Sequence, residues 1–405
     1  MNRQRVVITG IGVVTPLGTG REDFWAKILL GHCAFQPVSS FDTEGLPVSQ
    51  GAEIRDFDPT SFGFSLDADS MGRASQLAVA ASRLAIKDAR LAIEDLDPSR
   101  LGVAMGTTSG EPLEIERYDD LEVAGELDRL DGRFISLYPC HMIAVHVAAD
   151  LALTGPVDMI PTACAAGNYA IARAFDLVRS GRTDAVLAGG ADCFSRITYR
   201  GFARLGAIAP EVCQPFDRDR KGMIPGEGAG VLVLEPLERA LERGAPIYAE
   251  VLGYGLSCDA HHMTGAHPDG PARAMRRALA SSSRAPEDVD YISAHGTGTP
   301  TNDRIESEAV KRVFGESARR IPISSIKSMI GHTMGAASAI EAAACTLAVA
   351  CNLVPPTMNF KTPDPECDLD CVPNSAREHP VEVAMNNAYA FGGNNASVLF
   401  GKYKP

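Results

Sequence analysis

Aromatic side chains are scarce in this 405-residue chain: they make up 6% of it, with a single Trp. Glycine and alanine take their place. A core with few large rings closes by bringing small residues together, so helices are expected to lie tight against a sheet. Positive charge is also short, with 38 Lys and Arg against 51 Asp and Glu, a formal net charge of −13. Such a field opposes nucleic acid and anionic membrane surfaces, and an acidic partner would need a local basic patch. No apolar run is expected to reach the length of a membrane span. The opening MNRQRVVITG turns at once into a strand-like run, which argues against a signal peptide and for a cytoplasmic protein. The ten cysteines form no Cys-x-x-Cys pair; Cys367 and Cys371 come nearest, and no second pair completes a zinc site. Reduced thiols are the expectation.

What is present is enough apolar residue, 45%, for a large core and two or three domains. Short apolar runs alternate with helical patterns, the mark of a layered α/β fold. Strands are expected at 6–8 (ended by Gly10 and Gly12), 101–105, 185–188, 230–234 and 398–400. A helix is expected over 73–96, with Gln76, Arg83, Lys87 and Arg90 polar and Leu77, Leu84 and Ile93 apolar. Residues 111–133 are acidic and read as an inserted excursion. There is a faint internal duplication. VVITGIGVVTP near the start and YAEVLGYGLSCD at 248–259 are both apolar strands entering a Gly-x-Gly turn, and a small-residue helix follows in each half, at 165–179 and 335–351. Both helices are apolar nearly all round, the pattern of a buried helix. The chain thus divides into residues 1–250 and 251–405.

In PTACAAGNYA, Cys164 stands just before the first of these helices. A thiolate there would face the positive end of the helix dipole, which lowers its pKa, and backbone N–H groups nearby could hold an oxyanion. A lone cysteine is more often simply a small core residue. His295, in ISAHGTGTP, and His332, in SSIKSMIGHTMGAA, each follow an apolar strand and precede small residues, where α/β folds present functional loops. Each alone also fits a structural role. His261, His262 and His267 cluster in CDAHHMTGAHPDG without a carboxylate at ligand spacing, so no metal is assigned. The Gly pair after Phe391 in AYAFGGNNASVLF permits unusual backbone geometry, or a hairpin turn. Gly10-Ile11-Gly12 lacks the third glycine of a dinucleotide-binding turn, since Thr15 stands in its place.

Taken together, VVITGIGVVTPLG, TACAAGN, DAVLAGGAD, PFDRDRKGMIPGEGAGVLVLE, AHGTGTPTND, SSIKSMIGHTMGAASAIE and AFGGNN occur in an order that closely resembles the elongating β-ketoacyl-[acyl-carrier-protein] synthases, notably synthase II and related polyketide ketosynthases. The resemblance runs from Val6 to Phe400. It implies a thiolase fold, two pseudo-symmetric halves in a five-layer α-β-α-β-α arrangement, usually as a homodimer, with a heterodimer with a related subunit as the variant. It implies decarboxylative Claisen condensation of an acyl thioester with malonyl-[acyl-carrier-protein], in fatty acid or polyketide biosynthesis. It gives Cys164 the nucleophile position, His295 and His332 the two histidine positions and Lys327 the lysine position. Glu341 takes the carboxylate position, and Phe391 the gating position whose N–H joins that of Cys164 in an oxyanion hole. Ser109, Phe202, Thr264, Thr297, Thr299 and Asn394 fall at the pocket or its entrance. No metal or organic cofactor is implied; substrates arrive on the phosphopantetheine of an acyl carrier protein.

The chain departs from the family pattern at Ala390 and Asn394, where glycine and threonine are usual, and at Ser109, where synthase II has a branched apolar residue. These changes favour a specialised pathway and a roomier acyl pocket. Before the helix at Arg73, Asp67 and Asp69 stand where the family places basic residues that greet the carrier, and Arg73 remains. Arg133, Arg200 and Arg204 are the alternative docking candidates. Three other readings share the fold: a degradative thiolase, which two histidines suit less well than decarboxylative condensation, a non-catalytic chain-length-factor subunit, and a malonyl-[acyl-carrier-protein] decarboxylase. The last two commonly lack the cysteine, so the presence of Cys164 with His295 and His332 argues against them.

Overall fold

The computed structural model describes residues 4–404. Among the described residues, ten strands form the continuous path of the central sheet, and they fall into two sets of five. The first set is β1 (Val6–Thr15), β2 (Leu101–Gly106), β3 (Val157–Ile160), β4 (Ala185–Asp192) and β5 (Gly228–Pro236). The second is β6 (Ala249–Cys258), β7 (Tyr291–Ser293), β8 (Ile323–Ser324), β9 (Val383–Tyr389) and β10 (Asn394–Gly401). From the outer edge inward the first set runs β3-β2-β4-β5-β1 and the second β8-β7-β9-β10-β6. The order within each set is therefore third, second, fourth, fifth, first. In each, the two outer pairings are parallel and the two inner ones antiparallel. The halves join where β1 and β6 pair antiparallel, Val7 opposite Glu250. This identical wiring is the duplication hinted at by the sequence, in a thiolase-like α/β fold with a mixed central sheet.

Among the helices that frame the central sheet and position its loops are α1 (Arg73–Ala89), α2 (Pro112–Ala124), α3 (Met142–Asp150), α4 (Ala166–Arg179), α5 (Arg196–Arg204), α6 (Asp269–Ser282), α7 (Pro300–Phe314) and α8 (Ala337–Cys351). Helices α4 and α8 pack on each other and on strands of both halves, forming the middle layer. Helices α1 and α3 cover the first half from outside, and α6 and α7 the second. Every residue of α8 from Ala337 to Val349 is buried. Residues Met334–Cys351 are, by length and composition, apolar enough to cross a membrane, against the expectation of no such run; 89% of that stretch is buried inside the protein.

Two boundaries differ most from expectation. The first strand does not end at Gly10 but continues to Thr15. Its glycines are there because α1 lies directly on the strand: a Cβ at Gly12 would sit 1.9 Å from the carbonyl oxygen of Ala81, and one at Gly10 2.2 Å from that of Ala85. Helix α1 stops at Ala89, not Leu96, because Arg90 adopts a left-handed conformation (φ 51°) and its N–H closes the last turn. The acidic excursion contains α2, ended by Gly125 at φ 71°.

Candidate active site

The turns that lead into the two central helices are copies of one another. Thr162-Ala163-Cys164-Ala165-Ala166 in the first half matches Thr333-Met334-Gly335-Ala336-Ala337 in the second. Each begins with a short 3-10 turn, and each carries a non-glycine residue in the left-handed region, Ala163 at φ 51° and Met334 at φ 52°. Such a conformation is costly for a side-chain-bearing residue and persists only where packing demands it. The repeat puts Cys164 and Gly335 at equivalent places. A Cβ at Gly335 would lie 2.5 Å from the backbone of Thr107 and Thr108, so only the first half can carry a side chain there. The second half contributes histidine instead.

Cys164, His295 and His332 line one cavity of about 110 Å³. The imidazole rings meet edge to face with centroids 5.6 Å apart. The His332 ring is set by the backbone beside it, and His295 is held through its main chain. The N–H of Met334 donates to Nδ1 of His332 at 3.1 Å, which leaves Nε2 as the protonated, donating nitrogen. His295 stands beyond the end of β7, and its backbone N–H and that of Gly296 donate to the buried carboxylate of Glu306 on α7 at 2.9 and 2.8 Å. The ammonium of Lys327 donates to the carbonyl oxygen of His295 at 2.7 Å and is paired with Glu341. Burial, reinforced by the Lys327 charge, pushes the pKa of both histidines well below the ordinary value. They are neutral hydrogen-bond donors at physiological pH.

Cys164 behaves differently from the expectation of a lowered pKa. Burial raises its thiol to about 12, and the opposing pull of Lys327 is the smaller effect. The desolvation of a thiolate in a closed site outweighs the dipole of α4. Cys164 and Phe391 both sit in the first turn of a 3-10 segment, where helical N–H groups lack intrahelical partners and are available to an oxyanion. Phe391 is 39% exposed, packs near Phe202 with ring centroids 5.7 Å apart, and is followed by Gly392 and Gly393, both at positive φ. Its loop is tied to the loop after β6: the N–H of Gly392 donates to the carbonyl of Met263 at 2.7 Å.

Of the other sequence candidates, Phe202, Thr264, Thr297 and Thr299 line the cavity. The Thr297 and Thr299 hydroxyls are 2.8 Å apart, and Thr299 also caps α7. Lys327 and Glu341 are fully buried behind the histidines and do not face the cavity. Asn394 is not in its wall either. Successive strand residues point to opposite faces, and it is Asn395 that lines the cavity, donating to Asp259 at 2.7 Å. Ser109 lies outside this cavity; its N–H donates to Asp192 at 3.0 Å and its hydroxyl faces that of Thr198 at 3.4 Å. His262 is engaged by its own turn, with Nδ1 accepting from the N–H groups of Thr264 and Gly265.

The docking candidates separate. Arg73 is unavailable, since its guanidinium pairs with Glu227 and lies over the Phe57 ring at 4.8 Å. Arg133 pairs with Asp131 at 2.6 Å. Arg200 and Arg204 are exposed one turn apart on α5, the helix that also carries Phe202, and neither has an ion-pair partner among the described residues.

Three supporting groups escaped the sequence reading. Glu306 fixes the His295 turn, and burial pushes its pKa up to about 8. Asp192, at the end of β4, accepts from Thr107, Thr108, Ser109 and Gly335 and so joins the loop after β2 to the turn before α8. Tyr389 closes the wall beside His295. The available signal was acidic residues on the inward face of a helix: Asp303 and Glu306 are one turn apart, and both are fully buried.

On a duplicated thiolase-like fold, a thiol that can carry an acyl group, beside two neutral donors that can hold an enolate oxygen, is the equipment of a carbon–carbon bond-forming acyltransferase. The comparisons agree. Residues 3–240 match the beta-ketoacyl synthase N-terminal domain and residues 248–361 its C-terminal domain. The chain is 41% identical to 3-oxoacyl-[acyl-carrier-protein] synthase 2 of Synechocystis sp., covering 100% of this chain and 99% of that one. A chain of the ishigamide ketosynthase/chain length factor superposes with a TM-score of 0.97 at 44% identity, covering 99% of this chain and 100% of that one. A chain of the AntDE:AntF structure, a type II polyketide acyl-carrier protein in complex with its ketosynthase, gives 0.92 at 34% identity and covers 99% and 100%. The chain belongs to the β-ketoacyl synthase family, and its reaction is the β-ketoacyl synthase condensation of fatty acid or polyketide biosynthesis.

Proposed function

We propose that this chain is the catalytic ketosynthase of a specialised acyl or polyketide pathway, with Cys164 as the acyl carrier and His295 and His332 as the decarboxylation donors. The convergence of these three side chains in one desolvated cavity carries the reading. In the first half-reaction the sulfur of Cys164 attacks an acyl thioester on a carrier protein. The C–S bond to the carrier breaks, the acyl group moves to Cys164, and the thiol proton leaves with the carrier's sulfur. The N–H groups of Cys164 and Phe391 hold the oxyanion between. In the second, a malonyl thioester loses carbon dioxide. The electron pair of the broken C–C bond becomes an enolate whose oxygen accepts from His295 and His332. Its carbon attacks the acyl-Cys164 carbonyl, the C–S bond breaks, and the released sulfur takes a proton from solvent. Neutral imidazoles suit this work: they stabilise charge as it forms without carrying any into a buried site.

Arg200 and Arg204 support docking of an acidic carrier beside the cavity wall formed by Phe202. Among the described residues the outer strand β3 leaves one edge unpaired, and Val145 and Val157 near it are 38% and 40% exposed. That edge supports assembly with a second chain of the same fold. A copy of this chain is the first reading; the ketosynthase/chain length factor likeness favours a related subunit as the second. All ten cysteines are free thiols, in keeping with a cytoplasmic enzyme. The test is mass spectrometry of the Cys164 peptide after incubation with acyl carrier proteins loaded with different chains. An acyl adduct on Cys164, absent from Cys164→Ala, is expected. An adduct elsewhere, or condensation by Cys164→Ala at the wild-type rate, refutes the assignment.

A further inference from the structure

Tyr389 has no role in the chemistry just described, yet it is placed like a residue that has one. It ends β9, its side chain lines the cavity shared with Cys164 and the histidines, and the residue is 5% exposed. Its ring meets that of His295 with centroids 5.7 Å apart and planes at 63°. Its hydroxyl is sealed from solvent and has no hydrogen-bond partner among the described residues, and Nδ1 of His295 is in the same state. Leaving a buried hydroxyl unpaired is costly, so buried tyrosines nearly always find a partner. The bonds of its polar neighbours are made elsewhere: the Thr297 and Thr299 hydroxyls pair with each other, Asn395 donates to Asp259 and to the carbonyl of Gly393, and Glu306 accepts from two backbone N–H groups. No group among the described residues accepts from the Tyr389 hydroxyl, and a substrate oxygen brought to His295 can supply that acceptor.

We infer that Tyr389 is a further substrate-binding residue, whose phenolic O–H donates, directly or through one enclosed water, to the extender thioester oxygen held at His295. The inference rests on the assignment of His295 to the enolate oxygen. A neutral phenol can serve that oxygen without adding charge. Burial raises its pKa well above the ordinary value, and the Glu306 carboxylate adds to the effect, so the group keeps its proton at any working pH. The interaction strengthens as negative charge moves from the malonyl carboxylate onto the thioester oxygen, so it favours decarboxylation over mere binding.

The experiment uses Tyr389→Phe, which removes one oxygen and keeps the ring. Three quantities are read on the full-length enzyme: acylation of Cys164 from an acyl carrier protein, carbon dioxide release from malonyl carrier protein, and the melting temperature. Expected is a roughly ten- to hundredfold fall in kcat for carbon dioxide release, in line with a lost hydrogen bond to developing charge, with acylation within about twofold of wild type. Unchanged carbon dioxide release, or equal losses in acylation and release with a lowered melting temperature, would overturn the inference and make Tyr389 a packing residue. Wild type that fails to acylate Cys164 at all would instead overturn the functional assignment, which the Tyr389 variant does not touch.

Discussion

The ammonium of Lys327 donates to the carbonyl oxygen of His295 at 2.7 Å, from a side chain with no exposure to solvent. Its other partner is Glu341, on α8. One buried cation thus ties His295 to the central helix that follows His332. Lys327→Ala would leave the Glu341 charge buried and alone. Breaking such a pair costs about 3–5 kcal/mol, so the urea midpoint should fall sharply. A Lys327→Met, Glu341→Leu double variant should recover most of that loss yet release carbon dioxide slowly, because the His295 carbonyl has lost its donor. Full recovery of both stability and activity would show that the pair does not position His295.

The two histidines predict a pH dependence of definite sign. Their folded pKa values lie well below the ordinary value, so the unfolded chain binds protons there that the folded chain does not. Their contribution to stability is complete above about pH 6.5 and is lost as the pH falls below it. The melting temperature should drop on acidification, and less steeply in His332→Gln. Carbon dioxide release by wild type should show no histidine limb between about pH 6 and 8, since both rings are already neutral. In His295→Ala or His332→Ala, release should fall by about 10²-fold or more while Cys164 is still acylated.

Arg200→Glu and Arg204→Glu should raise the KM for carrier-bound substrates and spare small thioester mimics, with the effect shrinking as salt rises. Arg133→Glu should do less, because Arg133 is already paired with Asp131. Equal losses on carrier and mimic, or no loss for either α5 variant, would remove this helix from docking.

Ser109 touches Thr198 at the start of α5 and not the cavity lined by Cys164. Ser109→Ile adds volume against α5, and the profile of accepted acyl chains should shift toward shorter ones. An unchanged product distribution would show that this loop does not bound the acyl group.

Much of this was legible in the sequence. The buried helices α4 and α8 announced themselves because a helix enclosed on all sides must be apolar on all sides. The strands did so because a strand covered on both faces is continuously hydrophobic. Cys164, His295 and His332 each stood at the junction of an apolar run and small residues, and that local signal needs no tertiary knowledge. The ordered set of segments around them specified the family. Other features depend on which distant segments meet. The glycines of β1 read as a strand end until α1 was seen lying on them. The pKa of Cys164 reads as lowered from its place before a helix, but burial by both halves reverses the sign. Asn394 and Asn395 are neighbours in sequence, and only the register of β10 decides which of them faces the cavity. Asp192 and Tyr389 carry no local mark at all, and Glu306 only its spacing of one turn from Asp303 on α7. Their importance lies in the backbone N–H groups and the imidazole they meet across the fold, and hydrogen-bond partners that far apart in the chain are set by packing, not by composition.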